Sequence, residues 1–175
     1  MSVPRAIGHI VLNVSDVERS VKFYRNIIGF QVARYQPGSN TAFLTCGKIH
    51  HDLALFKAPE GARPYQTGQV GLHHFAFEMD NYEALQAAHR RLVEAGIRID
   101  GTVDFGFIRT VSVADPDGMR IELFVNTYAT DEEGLASMKF HESPPGRSPS
   151  YDINGPEPPA PELSAHEVKA VRGHA

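Results

Sequence analysis

One phrase occurs twice in this chain, and each copy sets a histidine at the same point. The first copy reads GHIVLNVSD, residues 8–16, and the second reads LHHFAFEMDN, residues 72–81. Superposed, they place His9 on His74. Each copy leads into a stretch of helical periodicity that stops at a glycine followed by an apolar residue, Gly29-Phe30 and Gly96-Ile97. A chain duplicated in this way is expected to fold as two like modules. A strand otherwise built for burial does not carry histidine without a reason. Two such strands, one per copy, suggest paired ligands for a metal ion.

The spacing predicts the same order of elements in each module: strand, helix, then three strands. In module one, residues 6–58, residues 7–14 alternate as a strand does and Ser15 or Asp16 caps a helix over 17–28. Gly29 is a natural helix stop. Strands follow over 31–35, 41–45 and 50–57. In module two, residues 71–127, the strand is 72–79, the helix 82–95 with Gly96 as its stop, and the strands 98–103, 108–114 and 119–126. Asp115-Pro116-Asp117-Gly118 is a turn signal between the last two strands. The connector over 59–70 carries Pro59, Gly61 and Pro64. Residues 1–127 therefore form one domain, and 128–175 an extension. Its proline-rich part is too poor in apolar residues to repay ordering by its own burial, so disorder or an extended wrap is expected. Residues 162–171 suit a short helix or a free terminus.

Bulk composition narrows the function classes. A length of 175 residues and an apolar fraction of 42% suffice for a substantial core. A net charge of −4 provides no basic field for nucleic acid. The lone Cys46 excludes an internal disulfide and fits a reducing compartment. No apolar run reaches the ~20 residues of a membrane span, and the N-terminus has no charged segment followed by a long apolar one. A cytoplasmic protein is expected.

Strand side chains alternate between two faces, and that alternation selects the candidate site. In the first strand Ile10, Leu12 and Val14 share one face, and His9, Val11 and Asn13 the other. In its duplicate Phe75, Phe77 and Met79 oppose His74, Ala76 and Glu78. In the last strand Met119, Ile121, Leu123 and Val125 oppose Arg120, Glu122 and Phe124. The apolar faces are expected to pack under the helices, leaving His9, His74 and Glu122 on the concave side of a curved sheet. Two imidazoles and a carboxylate suit Fe(II), and Mn(II) or Zn(II) also accept them, with open positions for water, substrate or dioxygen. A single strand histidine is ordinarily a core or surface residue. The equivalent placement of two, with a carboxylate whose burial a cation would offset, favours the metal.

The repeated unit, the stretch HIVLNVSDVERSVKFYRNIIGF and the ending DPDGMRIELF resemble the vicinal oxygen chelate superfamily over residues 6–127. That superfamily includes glyoxalase I, fosfomycin-resistance thiol transferases, methylmalonyl-CoA epimerases and type I extradiol dioxygenases. The resemblance implies an α+β fold of two paired βαβββ modules in one curved, cup-like mixed sheet with helices outside. It also implies metal ligands at His9, His74 and Glu122, the three that strand facing selected.

Glyoxalase I and the epimerases carry a polar fourth ligand at the end of module one, where this chain has apolar Leu53-Ala54-Leu55. Extradiol dioxygenases use three ligands and a motif similar to His50-His51-Asp52-Leu53-Ala54-Leu55-Phe56. By that resemblance His51 is the acid/base that handles the protons of a bound catechol. Two departures stand out. Ser112 occupies the position of the dioxygenases' pocket tyrosine, ten residues before the glutamate, and Phe105 stands about where they often carry histidine. Tyr128 or Tyr151 in the extension is placed to supply the missing phenol. Phe105, Phe107 and Phe124 are expected to make the pocket apolar, and Arg109 or Arg120 to meet an anionic group. The expected activity is extradiol-type cleavage of a catechol-like aromatic with dioxygen at Fe(II), in a homodimer or higher oligomer. A metal-dependent thiol transferase or isomerase, and a non-catalytic bleomycin-like binding protein, stay open as alternatives.

Overall fold

The computed structural model describes residues 4–140, 150–162, 164, 165 and 167. The chain divides into two compact units, Met1–His73 with Ala114–Met119, and His74–Val113 with Arg120–Ala175. The paired βαβββ order is present. In the first unit β1 (Ile10–Val14) leads to α1 (Val17–Phe23), which widens into one further turn (Tyr24–Ile28). Strands β2 (Gln31–Arg34), β3 (Thr41–Thr45) and β4 (Leu53–Lys57) follow. In the second, β5 (Phe75–Glu78) leads to α2 (Tyr82–Glu94), then β6 (Ile99–Asp104), β7 (Ile108–Ala114) and β8 (Arg120–Asn126). A helix absent from the expectation, α3 (Asp131–Phe140), ends the described run. The hydrogen-bond ladders form two four-stranded sheets, ordered β1-β4-β3-β2 and β5-β8-β7-β6. In each, the first strand lies parallel to the last, Ile10 beside Leu53 and Phe75 beside Ile121.

Local chemistry explains the helix ends. Asp16 accepts the Arg19 N–H at 2.9 Å and Asn81 the Ala84 N–H at 2.9 Å, each removing an orphan donor at a helix start. The widened turn after α1 forms because Gly29 and Phe30 both donate to the Tyr24 carbonyl. Gly29 sits at φ 108°, a backbone conformation that a side chain would oppose. At the end of α2, Ile97 N–H reaches Leu92 O and Gly96 N–H reaches Val93 O, the paired bonds that close a helix through a left-handed glycine.

Alternation settles the cores. Leu12, Val14, Leu44, Leu53 and Leu55 are buried against Val17, Val21 and Tyr24 in the first unit. Ile121, Leu123, Val111 and Val113 are buried with Leu85, Ala88 and Leu92 in the second. The Asp-Pro-Asp-Gly turn is held by its own first residue. The Asp115 carboxylate accepts the N–H groups of Asp117 and Met119, both at 2.9 Å, and its other oxygen accepts the Tyr24 hydroxyl at 2.9 Å.

Residues 150–162 lie along the second unit. Thr102 donates to the Tyr151 carbonyl, Gln86 to the carbonyls of Ile153 and Gly155, and Ile153 is 4% exposed. Most of the helix expected over 162–171 falls outside the described residues. No helix among the described residues is long and apolar enough to cross a membrane.

Candidate metal centre

The three histidines of interest precede strands rather than lie within them. The expected strands open three residues early: pairing starts at Ile10, Leu53 and Phe75, just past His9, His51 and His74. In the second unit the parallel register sets Ala76 beside Glu122. His74, two residues before Ala76 and so on the same face, then falls diagonal to that carboxylate. His74 Nε2 lies 3.6 Å from Glu122 Oε2. Glu122 is 8% exposed, and its other oxygen accepts the Ser112 hydroxyl at 3.1 Å. Two donors about 2.1 Å from a shared ion, at angles of 90–120° to each other, lie about 3.0–3.6 Å apart. The separation of the imidazole and the carboxylate therefore fits one shared cation.

The first unit repeats the register with one substitution. Val11 stands beside Ala54 as Ala76 stands beside Glu122. The place of the carboxylate is taken by a methyl group that is 1% exposed. His9 instead neighbours His51, with ring centroids 4.6 Å apart. His51 also packs edge-on to Phe43 at 5.2 Å, and its Nδ1 lies 2.5 Å from that of His50, so one of these rings donates to the other. Loss of hydration, with the His50 and His9 rings nearby, lowers the His51 pKa below the usual imidazole value. The loop before β4 is fixed by Thr45, whose hydroxyl donates to the Ile49 carbonyl at 2.7 Å. Asp52 completes it by accepting the Cys46 N–H at 2.7 Å.

The predicted set is thus brought together in part, His74 with Glu122 and His9 with His51. Among the described residues no group of three or more His, Cys, Asp or Glu side chains forms a ready-made ion cage.

His74 and Glu122 open onto a compartment of about 660 Å³ within the second unit. Phe107, Ile108, Phe124 and Ala76 line it, as does Tyr128, whose hydroxyl lies 3.2 Å from Ser137 Oγ. Phe105 is not among the lining residues; its ring lies 6.2 Å from that of Phe107. Of the two extension tyrosines, Tyr151 is directed elsewhere, its hydroxyl donating to the Thr110 carbonyl. Arg109, expected to meet substrate, has a side chain only 1% exposed. It donates to Asp104 at 3.0 Å, Glu157 at 3.1 Å and the Pro159 carbonyl at 3.0 Å. Strand parity explains the difference, because Arg109 shares the face of Val111 and Val113, not that of Ser112.

The sequence reading missed the wall that α3 adds. Asp131, Gly134, Leu135 and Met138 all line the compartment. A signal for this helix is present in Thr130-x-x-Glu133. Glu133 N–H donates to the Thr130 hydroxyl, and Thr130 N–H returns to the Glu133 carboxylate, a reciprocal cap.

Comparison with known proteins places this geometry among relatives. Residues 6–123 match the model described as the Glyoxalase/Bleomycin resistance protein/Dioxygenase superfamily. The chain is 32% identical over 143 residues to biphenyl-2,3-diol 1,2-dioxygenase 3 of Rhodococcus globerulus, covering 81% of this chain and 74% of that one. It is 30% identical over 147 residues to the glutathione transferase FosA of Serratia marcescens, covering 78% and 95%. A glyoxalase/dioxygenase structure from Nostoc punctiforme superposes with a TM-score of 0.60 at 27% identity, over 70% of this chain and 91% of the other.

Proposed function

The chain belongs to the Glyoxalase/Bleomycin resistance protein/Dioxygenase superfamily, and on that premise we propose that it is a mononuclear-metal oxygenase of extradiol type. Its substrate in this reading is a catechol-like aromatic diol, cleaved with dioxygen. The observation that carries the reading is the His74–Glu122 pair at the floor of a compartment walled by Phe107 and Phe124. The proposed ligands are His74, Glu122 and, from the sequence repeat, His9. A divalent ion held there, Fe(II) ahead of Mn(II) or Zn(II), supplies Lewis-acid polarisation and, with iron, redox capacity.

The protein residues have separate tasks in this proposal. Phe107 and Phe124 hold the aromatic ring by apolar contact. Ser112 orients Glu122 through its hydroxyl. His51 takes the proton of a substrate hydroxyl; its Nδ1 is engaged with His50, which leaves Nε2 as the accepting atom. Arg109 is left out of the substrate contacts because its donors serve the C-terminal segment.

The compartment also bears on the relatives with other chemistry. Its lining carries the acidic side chains Glu78, Asp80, Glu122 and Asp131, and among the described lining residues there is no lysine or arginine. A strongly anionic phosphonate would find no basic side chain there to add to a bound metal ion, whereas a neutral diol needs none. This favours the diol over a fosfomycin-type substrate.

The test is metal analysis of anaerobically purified protein, followed by oxygen uptake with a panel of catechols. Ring-cleavage absorbance and stoichiometric uptake are expected. Glu122→Gln is expected to lower metal occupancy. His51→Ala is expected to keep the metal and lose at least about 10²-fold in turnover, the usual range for a positioned acid/base. A metal-replete protein that consumes no oxygen with any diphenol would defeat the proposal.

A further inference from the structure

We infer that Glu157, in the segment 150–162 that lies along the second unit, is a positioning residue for the His74–Glu122 compartment. Through Arg109 and Asp104 it sets the direction of the β6–β7 turn, which carries Phe107 to the compartment lining. The inference rests on the reading of that compartment as the diol site.

The shape of the turn is local. β6 and β7 pair Asp104 with Arg109, and residues 105–107 join the two strands. Phe105 N–H donates to the Ile108 carbonyl at 2.9 Å, and Gly106 takes φ 84°, a conformation that a side chain opposes. A hairpin tip so fixed can still swing as a body, and its direction is set by what it is tied to. Its carbonyls are tied to Thr127, whose N–H reaches Phe107 O at 3.1 Å and whose hydroxyl reaches Gly106 O. Its amide side is tied to Asp104, whose Oδ1 accepts the Gly106 N–H at 2.8 Å.

The second tie continues to Glu157. Asp104 Oδ2 accepts from Arg109 Nε at 3.0 Å, while Arg109 Nη1 donates to Glu157 Oε1 at 3.1 Å and Nη2 to Pro159 O at 3.0 Å. The Arg109 side chain is 1% exposed, so its donors are shielded from competing water. Asp104 alone balances its charge. Glu157 and Pro159 add a fixed orientation, because the guanidinium is a rigid planar fork and a shift at one end turns the other. Pro161 rests against the same turn: a Cβ built on Gly106 would lie 3.4 Å from its Cγ. An unbroken series of contacts therefore runs from Glu157 through Arg109 and Asp104 to the Gly106 amide. The next residue, Phe107, lines the compartment together with Ile108.

The experiment compares wild type with Glu157→Ala, Glu157→Gln and Glu162→Ala in the full, metal-loaded chain under anaerobic conditions. Glu162→Ala makes the same charge change at an exposed carboxylate of the same segment. Hydrogen exchange at the Phe105 and Gly106 amides is read against exchange in β8, and calorimetry gives the Kd for catechol. In Glu157→Ala, exchange at the turn is expected to quicken and the Kd to rise, each by at least about threefold, the effect of a half-exposed ion pair. Exchange in β8 and metal occupancy should stay within about twofold of wild type. Glu157→Gln, which keeps an acceptor for Arg109, and the Glu162→Ala control should also stay within about twofold. Unchanged exchange at the turn, equal acceleration in β8, a glutamine variant as impaired as alanine, or a quickened turn with an unmoved Kd would each overturn the inference. Oxygen uptake is recorded separately. A wild type that binds catechol without consuming oxygen, with the expected effects of Glu157→Ala, would reject the oxygenase reading and retain the positioning role. A wild type that does not bind catechol would overturn both.

Discussion

Replacing Tyr24 with phenylalanine removes a single hydroxyl, and the structure allows its effect to be worked out. Tyr24 is 0% exposed and its hydroxyl donates to Asp115 Oδ2 at 2.9 Å. Asp115 is itself 6% exposed, so the abandoned oxygen gains little water in exchange. A hydrogen bond to a charged group contributes about 1.5–3 kcal/mol. For a chain of this size that lowers the melting temperature by about 3–12 °C. The pH dependence has a definite sign. Burial raises the Asp115 pKa above 3.8, against the opposing hydrogen bonds from the Met119 amide and the Tyr24 hydroxyl. Between the unfolded value and this raised one, the unfolded chain releases a proton that the folded chain keeps, so stability falls as pH rises through that window. Removing the hydroxyl takes away a donor that favours the ionised carboxylate and raises the folded pKa further. The penalty of Tyr24→Phe is therefore smallest where Asp115 is protonated in both states and grows toward neutral pH. Burial also pushes the tyrosine itself well above 10. Wild type should accordingly lose stability above pH 10, where the unfolded phenol ionises first, by an amount the phenylalanine variant does not lose. Urea unfolding from pH 3 to 11 reads both effects. A penalty below about 0.5 kcal/mol at pH 7, or one that does not change with pH, refutes the reasoning.

Two further substitutions probe the rest of the chain. Arg109→Met strands the carboxylates of Asp104 and Glu157, whose side chains are 19% and 48% exposed. Because water reaches both, the expected loss is about 1–3 kcal/mol, not the ~3–5 of a sealed pair. Amide exchange at residues 151–155 should accelerate more than exchange in β1 and β4; uniform acceleration would argue against an anchor. Asn81→Ala removes the acceptor of the Ala84 N–H and should cost about 0.5–2 kcal/mol, with Asn81→Asp restoring most of it, as read by chemical denaturation.

Particular residues show how far the sequence carried. The duplicated phrase implied two like modules, and the turn at Asp115, the cap at Asp16 and the stops at Gly29 and Gly96 each stand where their chemistry called for them. Such signals act over a few residues and do not depend on distant partners. The facing of Glu122 and Ser112 was equally legible, because alternation alone separates them from the buried Ile121 and Val113. The strand starts at Ile10, Leu53 and Phe75, past His9, His51 and His74, were less so, since a strand begins where its partner begins, and Leu53 and Ile121 lie more than forty residues from Ile10 and Phe75.

Residue type and period by themselves determined which side chains share a face and which chemistry they bring: imidazoles, one late carboxylate and aromatic neighbours. Tertiary structure decided which of them meet. The parallel register of β5 on β8 brings His74 within 3.6 Å of Glu122, while the matching register of β1 on β4 sets the methyl of Ala54 in the place of a carboxylate. It also gave Arg109 to residues 48 and 50 positions further on, and it folded α3 across the compartment it lines. Periodicity is a property of neighbouring residues. Register and docking are set by burial and pairing between segments far apart in the chain, which no local pattern contains.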